Sequence, residues 1–500
     1  MKIKFVSLFL MFFVWSNLIA SDQNIKKDDD HLPSLELELH LPKFPSLQHL
    51  NATANQIIAT LQEAQNTLEK LTFLNEGGYL LEYSYSFKDT AKRMEDALFG
   101  NVFPRLKKLD LQHFNFPFSE AFAPNLESLT ISGLSSILIL FPESFAPYLK
   151  ALNITNVNQV IFSENFAPHL EFLTLSKIHK NLVGLKTLQS IKTLTIDHGG
   201  GNGFKSVDTL EISLNSLENF NFNNFQLPYV SDYYDDEFVI DFSRFAPNLK
   251  MLNLSGSTLP QNTYLLLTGL NSLETLFLGQ LDPYYKEGSI IGILSTLPNL
   301  KDLNFAPRGT EIYGLDFREF MNFKSLKRLN ISHRKLTAEN IEQMQYTSLP
   351  DLEILILDAC NAKGAKFSIF APNLTHLSLK NSNITGGDIA EIMQLQQLRI
   401  LDISSTSISA AALKKLGSLI NIKELSLGST NMTKADFNLL PTSIESLSLA
   451  GSTLSIESFN TLFAMTNLKK LDLKGIKNAN INSAMINNLK AALPGCDILH

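Results

Sequence analysis

The stretch FAPNLKMLNLSG, Phe245 to Gly256, decides the reading of this chain, because nearly the same words recur. FAPNLESLTISG begins at Phe122, FAPYLKALNITN at Phe145, FAPHLEFLTLSK at Phe166 and FAPNLTHLSLKN at Phe370. Superimposed, the copies share one skeleton, L-x-x-L-x-L-x-x, followed by a ninth position. Leu249, Leu252 and Leu254 carry it in the first stretch. The frame runs from Leu106, Leu109 and Leu111 to Leu468, Leu471 and Leu473, with a period of roughly 21 to 27 residues. Such a period means stacked units, not the two to four domains that 500 residues otherwise suggest.

The fourth and sixth positions of the frame alternate with polar residues, the pattern of a short strand with one buried face. One such strand cannot bury that face alone, whereas stacked copies form a parallel sheet over a shared core. On these residues the chain resembles the leucine-rich-repeat superfamily from about Leu106 to Leu473. The resemblance implies an α/β solenoid: a horseshoe with a concave parallel β-sheet and variable returns on the convex side. It says almost nothing about function.

The returns divide the array. In the N-terminal half they are short and Phe-rich: FSEAFAPNL, FPESFAPYL and FSENFAPHL, with FSRFAPNL and FSIFAPNL one residue shorter. Two Phe four residues apart suit one face of a helical turn, and their stacking predicts an aromatic spine behind the sheet. Proline disfavours helix in the residue before it, so the chain is expected to run extended into the next strand. In the C-terminal half the returns read as helices opened by the N-cap residues Thr337, Thr385, Ser409 and Ser455. That half resembles ribonuclease-inhibitor-like arrays.

The family commonly places an Asn ladder at position nine. This chain has Ser257, Ser382, Thr406, Thr430, Ser452 and Cys360 there, and Leu134, Val157 and Ile178 in the N-terminal half. Hydroxyls can still satisfy buried backbone groups. Cys360 and Cys496 are the two cysteines, separated by roughly five repeats. With strands ~4.8 Å apart, the gap is on the order of 20 Å, beyond the roughly 7 Å limit for bridged Cα atoms. Both thiols are expected to be unpaired.

The ends read differently. Residues 1–20 have a basic start, a short apolar run and a small residue at Ala20, as in a secretory signal peptide. The run is shorter than the ~20 residues of a spanning helix, so no membrane span is expected in the mature chain. Residues 21–45 read as a disordered or extended lead-in, and 46–102 as a helical N-terminal cap. In that cap Ile57, Leu61, Ala64, Leu68 and Leu71 recur at helical spacing, and Lys88 to Phe99 suit a second helix. Short repeats fill 103–226, a Tyr/Asp-rich insertion 227–244 and longer repeats 245–477; 478–500 reads as a C-terminal cap of helix and strand. The array looks irregular from about Leu188 to Phe245.

Chemistry is sparse. The formal net charge is −7 and no basic stripe is visible, which argues against nucleic acid. DHGGGNGF lacks the spacing of a phosphate loop. Asp232, Asp235, Asp236 and Glu237 lack the spacing of an EF-hand. No triad or metal motif appears, so neither a catalytic residue nor a cofactor is expected, and the chain reads as no enzyme. Binding remains. The strand positions expected on the concave face are mostly small and polar, but Phe172, Met251, Phe277, Arg328, Ile354, Ile356 and His376 are bulkier. Tyr233 and Tyr234, and Tyr284 and Tyr285, lie in two loops that interrupt the pattern, where tyrosine gives contact area at low entropy cost.

The expected function is a non-enzymatic protein–protein interaction scaffold, secreted or periplasmic, with a protein partner on a host or neighbouring cell. The alternatives are an inhibitor that wraps a partner enzyme and, third, a glycan-active or hydrolytic enzyme. Composition rich in Lys, Asn, Ile and Phe leans towards a bacterial source. Seven N-x-S/T sequons, Asn153, Asn253 and Asn330 among them, follow from strand composition.

Overall fold

The computed structural model describes residues 2–4, 35–41, 47–75, 102–113, 122–143, 145–179, 182–197, 213–224, 241–257, 265–279, 290–305, 316–478 and 480–500. Tyr233, Tyr234, Tyr284, Tyr285 and the expected helix at Lys88 to Phe99 lie outside these residues. The chain divides into two compact units, Met1–Leu249 and Lys250–His500.

In the first unit the parallel strands are β1 (Lys2–Lys4), β2 (Leu35–Leu41), β3 (Leu68–Asn75), β4 (Lys108–Gln112), β5 (Ser128–Phe141), β6 (Ala151–Phe162), β7 (Phe172–Ile178), β8 (Leu182–Val183), β9 (Thr193–Asp197) and β10 (Asn219–Asn223). Each main strand pairs with the next copy in the same register, so Leu109, Leu129, Leu152, Leu173, Leu194 and Phe220 fall in one buried row. Burying one such side chain is worth about 1.5–3 kcal/mol.

Helix α1 (Leu47–Ala64) buries Ile57, Leu61 and Ala64 as expected. It stops there, and Leu68 and Leu71 lie in β3, which corrects the helical reading of those two. Leu68, Leu71 and Phe73 are themselves the L-x-x-L-x-L frame with Phe in the third place. The i, i+3 step fits a helix and this frame equally, so spacing alone misassigned it. The stretch after Leu188 is likewise more regular than expected. Leu217, Phe220 and Phe222 form another copy, fully buried, with β10 in register on β9.

β5 and β6 run on beyond the frame into a second paired arm, where Leu134 opposes Val157 and Phe141 opposes Phe162. This explains the apolar ninth positions. Leu134, Val157 and Ile178 are strand residues pointing into the core, at 1%, 0% and 5% exposure. The expected spine is present. Phe141 and Phe162 stack at 5.7 Å and 4°, Phe145 and Phe166 at 6.3 Å and 3°, with Phe141 and Phe166 4.6 Å apart. The pairs Phe141/Phe145 and Phe162/Phe166 do not ride a helical turn, however; Phe141 and Phe162 end strands. The shorter variant does, in α2 (Phe242–Phe245).

The FAP segment is a β-turn, which corrects the expected extended run. The N–H of Leu126, Leu149, Leu170 and Leu249 each donates to the carbonyl of the Ala three residues earlier. Proline pre-sets the backbone of the second turn residue. Ala146 and Ala167, the residues before it, take positive φ of 48° and 42°. The Asn of APNL then reaches back one repeat: Asn125 Nδ2 donates 2.7 Å to the Pro104 carbonyl and Asn248 Nδ2 2.9 Å to that of Asn215.

The second unit repeats the plan with three-residue strands: β11 (Met251–Asn253), β12 (Thr275–Phe277), β13 (Asp302–Asn304), β14 (Arg328–Asn330), β15 (Ile354–Ile356), β16 (His376–Ser378), β17 (Ile400–Asp402), β18 (Glu424–Ser426), β20 (Ser446–Ser448), β22 (Lys470–Asp472) and β23 (Asp497–Leu499). Two short strands, β19 (Asn431–Met432) and β21 (Thr453–Leu454), pair on their own. The returns are short pieces of α- or 3-10 helix, shorter than the helices expected: α3 (Ile290–Leu294), α4 (Ala338–Gln343), α5 (Phe367–Phe370), α6 (Ile389–Ile392), α7 (Leu413–Leu416) and α8 (Ile456–Thr461). Thr337 and Ser455 cap α4 and α8 through reciprocal capping boxes. Ser409 precedes a 3-10 turn without a side-chain cap bond, and Thr385 is not a cap at all. Its backbone N–H and hydroxyl both donate to Asp388, the residue before α6. A terminal helix, α9 (Ser483–Ala492), capped by Asn482, leads to β23 as expected.

Two columns pin the copies where each strand ends. Two residues after the third core position the backbone turns left-handed, at Gly256, His333, Ala359, Asn381, Ser405, Ser429, Gly451 and Gly475. From that position Ala359, Asn381, Ser405 and Ser429 donate their N–H to the following repeat at 2.7–2.8 Å. Position nine then serves the backbone. Ser382 and Thr406 hydroxyls donate 2.6 Å to the Leu379 and Ile403 carbonyls, and Cys360 Sγ donates 3.2 Å to that of Ile331. Arg334 occupies the same place, 3% exposed, with its guanidinium 4.7 Å above the Phe305 ring. Burial lowers its pKa to about 10. Both cysteines are free, and burial pushes the Cys360 thiol up to about 11.

Candidate binding surface

One face of each sheet is core; the other carries the third and fifth positions of the frame. In the second unit, pairing aligns the third positions as Met251, Thr275, Asp302, Arg328, Ile354, His376, Ile400 and Glu424. The fifth positions align as Asn253, Phe277, Asn304, Asn330, Ile356, Ser378, Asp402 and Ser426. Every third-position side chain from Met251 to Ile400 is half-buried. Each stands on a strand whose central Leu is 0% exposed, so the surface sits directly on rigid core.

The structure brings Arg328, Ile354, Ile356 and His376 together on three adjacent strands. Met251 and Phe277 stand on β11 and β12 in different rows, with β13 between them and Arg328. Phe172 is in the first unit, 49% exposed. The pattern read from sequence missed Ile400 and Asp302. Both were legible as the third position of their copies, LRILDI and LKDLNF.

The patch is apolar at the centre and charged around it. Arg328 Nε lies 3.6 Å from Asp302 Oδ1. Burial holds the Asp302 carboxyl above its ordinary value, and the guanidinium pulls it back only in part. Burial also holds His376 below 6.5, helped by Arg328 and opposed by Glu424, Asp402 and Asp358. Asp358 is fixed in place: its Oδ1 accepts the Ser378 hydroxyl at 2.5 Å and the Lys380 N–H at 3.0 Å. Its own N–H donates 3.2 Å to Ser332 Oγ, which bonds Asn330. Among the described residues no group of three His, Cys, Asp or Glu is placed to hold a metal, and no helix is long and apolar enough to cross a membrane.

Within each unit, stacked in-register strands, left-handed strand exits and a core shared by the copies define a leucine-rich-repeat fold. No family model matches the chain. It is similar to Receptor like protein 27 of Arabidopsis thaliana, 34% identical over 134 residues, which is 26% of this chain and 16% of the plant protein. An internalin of Listeria monocytogenes aligns at 19% identity over 64% of this chain and 89% of its own, with a TM-score of 0.41. A leucine-rich-repeat protein of Leptospira interrogans aligns at 18% identity over 93% and 89%, with a TM-score of 0.35. Likenesses this partial leave the fold to be read from the chain's own repeats.

Proposed function

We propose that the chain is an exported, non-enzymatic scaffold that binds a protein partner through the open sheet face of its second unit. The observation that carries this reading is the in-register row Arg328, Ile354, His376 and Ile400 with Ile356 beside it. Aliphatic side chains half-exposed on a rigid sheet lose little entropy on binding, and a charged rim around an apolar centre is the anatomy of a specific interface. Export to the periplasm or medium is supported by residues 1–20.

The test is cross-linking mass spectrometry of the exported protein in its native setting, alongside the double variant Ile354→Asp, Ile400→Asp. Contacts through Ile354 and Ile356, lost in a variant that keeps its circular dichroism, support the reading. Contacts confined to the returns, or a variant that binds as before, overturn it. N-terminal sequencing of the exported chain should begin near Ser21.

A further inference from the structure

The middle of the first unit presents a different surface. The third positions of β5, β6, β7 and β9 align as Ser128, Ala151, Phe172 and Thr193. The fifth positions align as Thr130, Asn153, Thr174 and Thr195. None of the eight is charged. Seven are small or hold a hydroxyl or amide, and the eighth, Phe172, is 49% exposed. Its neighbours in the row, Ala151 and Thr193, are too short to cover the ring.

The polar groups around the ring are already oriented. Asn219 Nδ2 donates 3.4 Å to Thr193 Oγ1, and Asn221 Nδ2 donates 3.1 Å to Thr195 Oγ1. Each threonine, having accepted an amide hydrogen, has its own O–H to give. Asn153 Oδ1 accepts the Thr155 hydroxyl at 3.4 Å, which keeps the amide hydrogens of Asn153 for another acceptor. Fixed donors and acceptors of this kind spare a ligand the cost of ordering them.

Charge complementarity selects the ligand. The eight positions hold no formal charge; Lys108 and Asp110 border them on β4, and the flanking Lys150 and Lys192 are each paired with a glutamate, so a phosphate or a nucleic acid finds no unpaired cluster of positive charge on this face. Protein hot spots cluster aromatic and Arg anchors in desolvated pockets, and here one ring stands alone on a flat polar sheet. A neutral sugar fits both halves of the surface: its hydroxyls match Thr and Asn, and its apolar C–H face matches an aromatic ring. The strands step by ~4.8 Å, about the width of one sugar ring.

We propose that this face binds a neutral oligosaccharide, with one sugar stacked on Phe172 and its neighbours bonded to Asn153, Thr174, Thr193 and Thr195. The site is independent of the protein-binding face of the second unit, so either can fail alone. The test is binding of the full chain to an array of neutral and anionic glycans, followed by titration calorimetry with the best neutral ligand. Phe172→Ala should weaken binding by about tenfold or more, Phe172→Trp should retain it, and added salt should change little. Phe172 is exposed, so both variants should keep the thermal midpoint of the parent. No binding to neutral glycans, equal affinity in Phe172→Ala, or capture of anionic glycans only with steep salt dependence would each overturn the proposal.

Discussion

The hydroxyl of Ser452 donates 2.8 Å to the carbonyl of Leu427, one repeat upstream. The same oxygen accepts the N–H of Thr430 at 3.2 Å, and the Thr430 hydroxyl returns to the Leu427 carbonyl. All three lie out of reach of water: Ser452 and Leu427 are 0% exposed and Thr430 4%. Ser452→Ala therefore strands a buried amide, which costs about 1–3 kcal/mol. Urea unfolding should show a lower midpoint at unchanged slope.

The aromatic spine makes a stronger demand. Phe166 is 1% exposed and meets Phe141, Phe145 and Phe162 within 4.6–6.3 Å. Phe166→Ala should lose about 3–5 kcal/mol, and Phe166→Leu less, because Leu refills part of the cavity. Denaturant melts of the two variants give the comparison.

Glu445 makes the opposite case. Its carboxylate meets Lys423 at 2.8 Å and Lys469 at 2.6 Å, and those two bonds bring its pKa down to about 2. With the folded value below the ordinary 4.5, any stabilisation is present above 4.5 and fades as pH falls toward 2. The cluster lies at the surface, with the Glu445, Lys423 and Lys469 side chains 34%, 50% and 72% exposed, so solvent and salt screen it. Glu445→Gln should leave the unfolding midpoint at neutral pH unchanged within error, while NMR titration at low salt finds the low pKa.

His376 links the candidate surface to pH. Its folded pKa lies below 6.5, so on acidification the unfolded chain takes the proton first. The associated stability is complete above 6.5 and is lost as pH falls through the folded value. His376→Gln should flatten the stability profile between neutral pH and pH ~5. An NMR titration placing His376 above 6.5 would refute the sign.

Much of this architecture was legible, and the misreadings have specific causes. The frame located the strands from Leu106 onward, yet passed over Leu68–Leu71–Phe73, whose spacing also suits a helix, and Leu217–Phe220–Phe222, where Phe holds two of the three core places. Burial is indifferent to that exchange: Phe220 and Phe222 are 0% exposed. An Asn ladder was sought at position nine, where hydroxyls stand instead. It lies before the first core Leu, where Asn299, Asn373, Asn421 and Asn467 each donate 2.8–2.9 Å to a carbonyl of the preceding repeat. Of the bulkier open-face residues named from the sequence, Arg328, Ile354, Ile356 and His376 fall on three adjacent strands, whereas Ile400 and Asp302, on the strands to either side, were passed over.

The sequence by itself determined the period, the strand positions and which side chains face the core, since all three follow from the alternation of Leu with polar residues. It could not show that FAPNL is a turn, because that depends on a hydrogen bond from Leu to Ala and not on the proline alone. Nor could it show the second arms of β5 and β6, which exist only because each finds the other to pair with. The chemistry of the two open faces was likewise a tertiary decision. Ile354, His376 and Ile400 are about two dozen residues apart along the chain, and Phe172 and Thr193 likewise. In-register stacking sets each beside the next across one strand spacing, and only then do isolated letters become a surface.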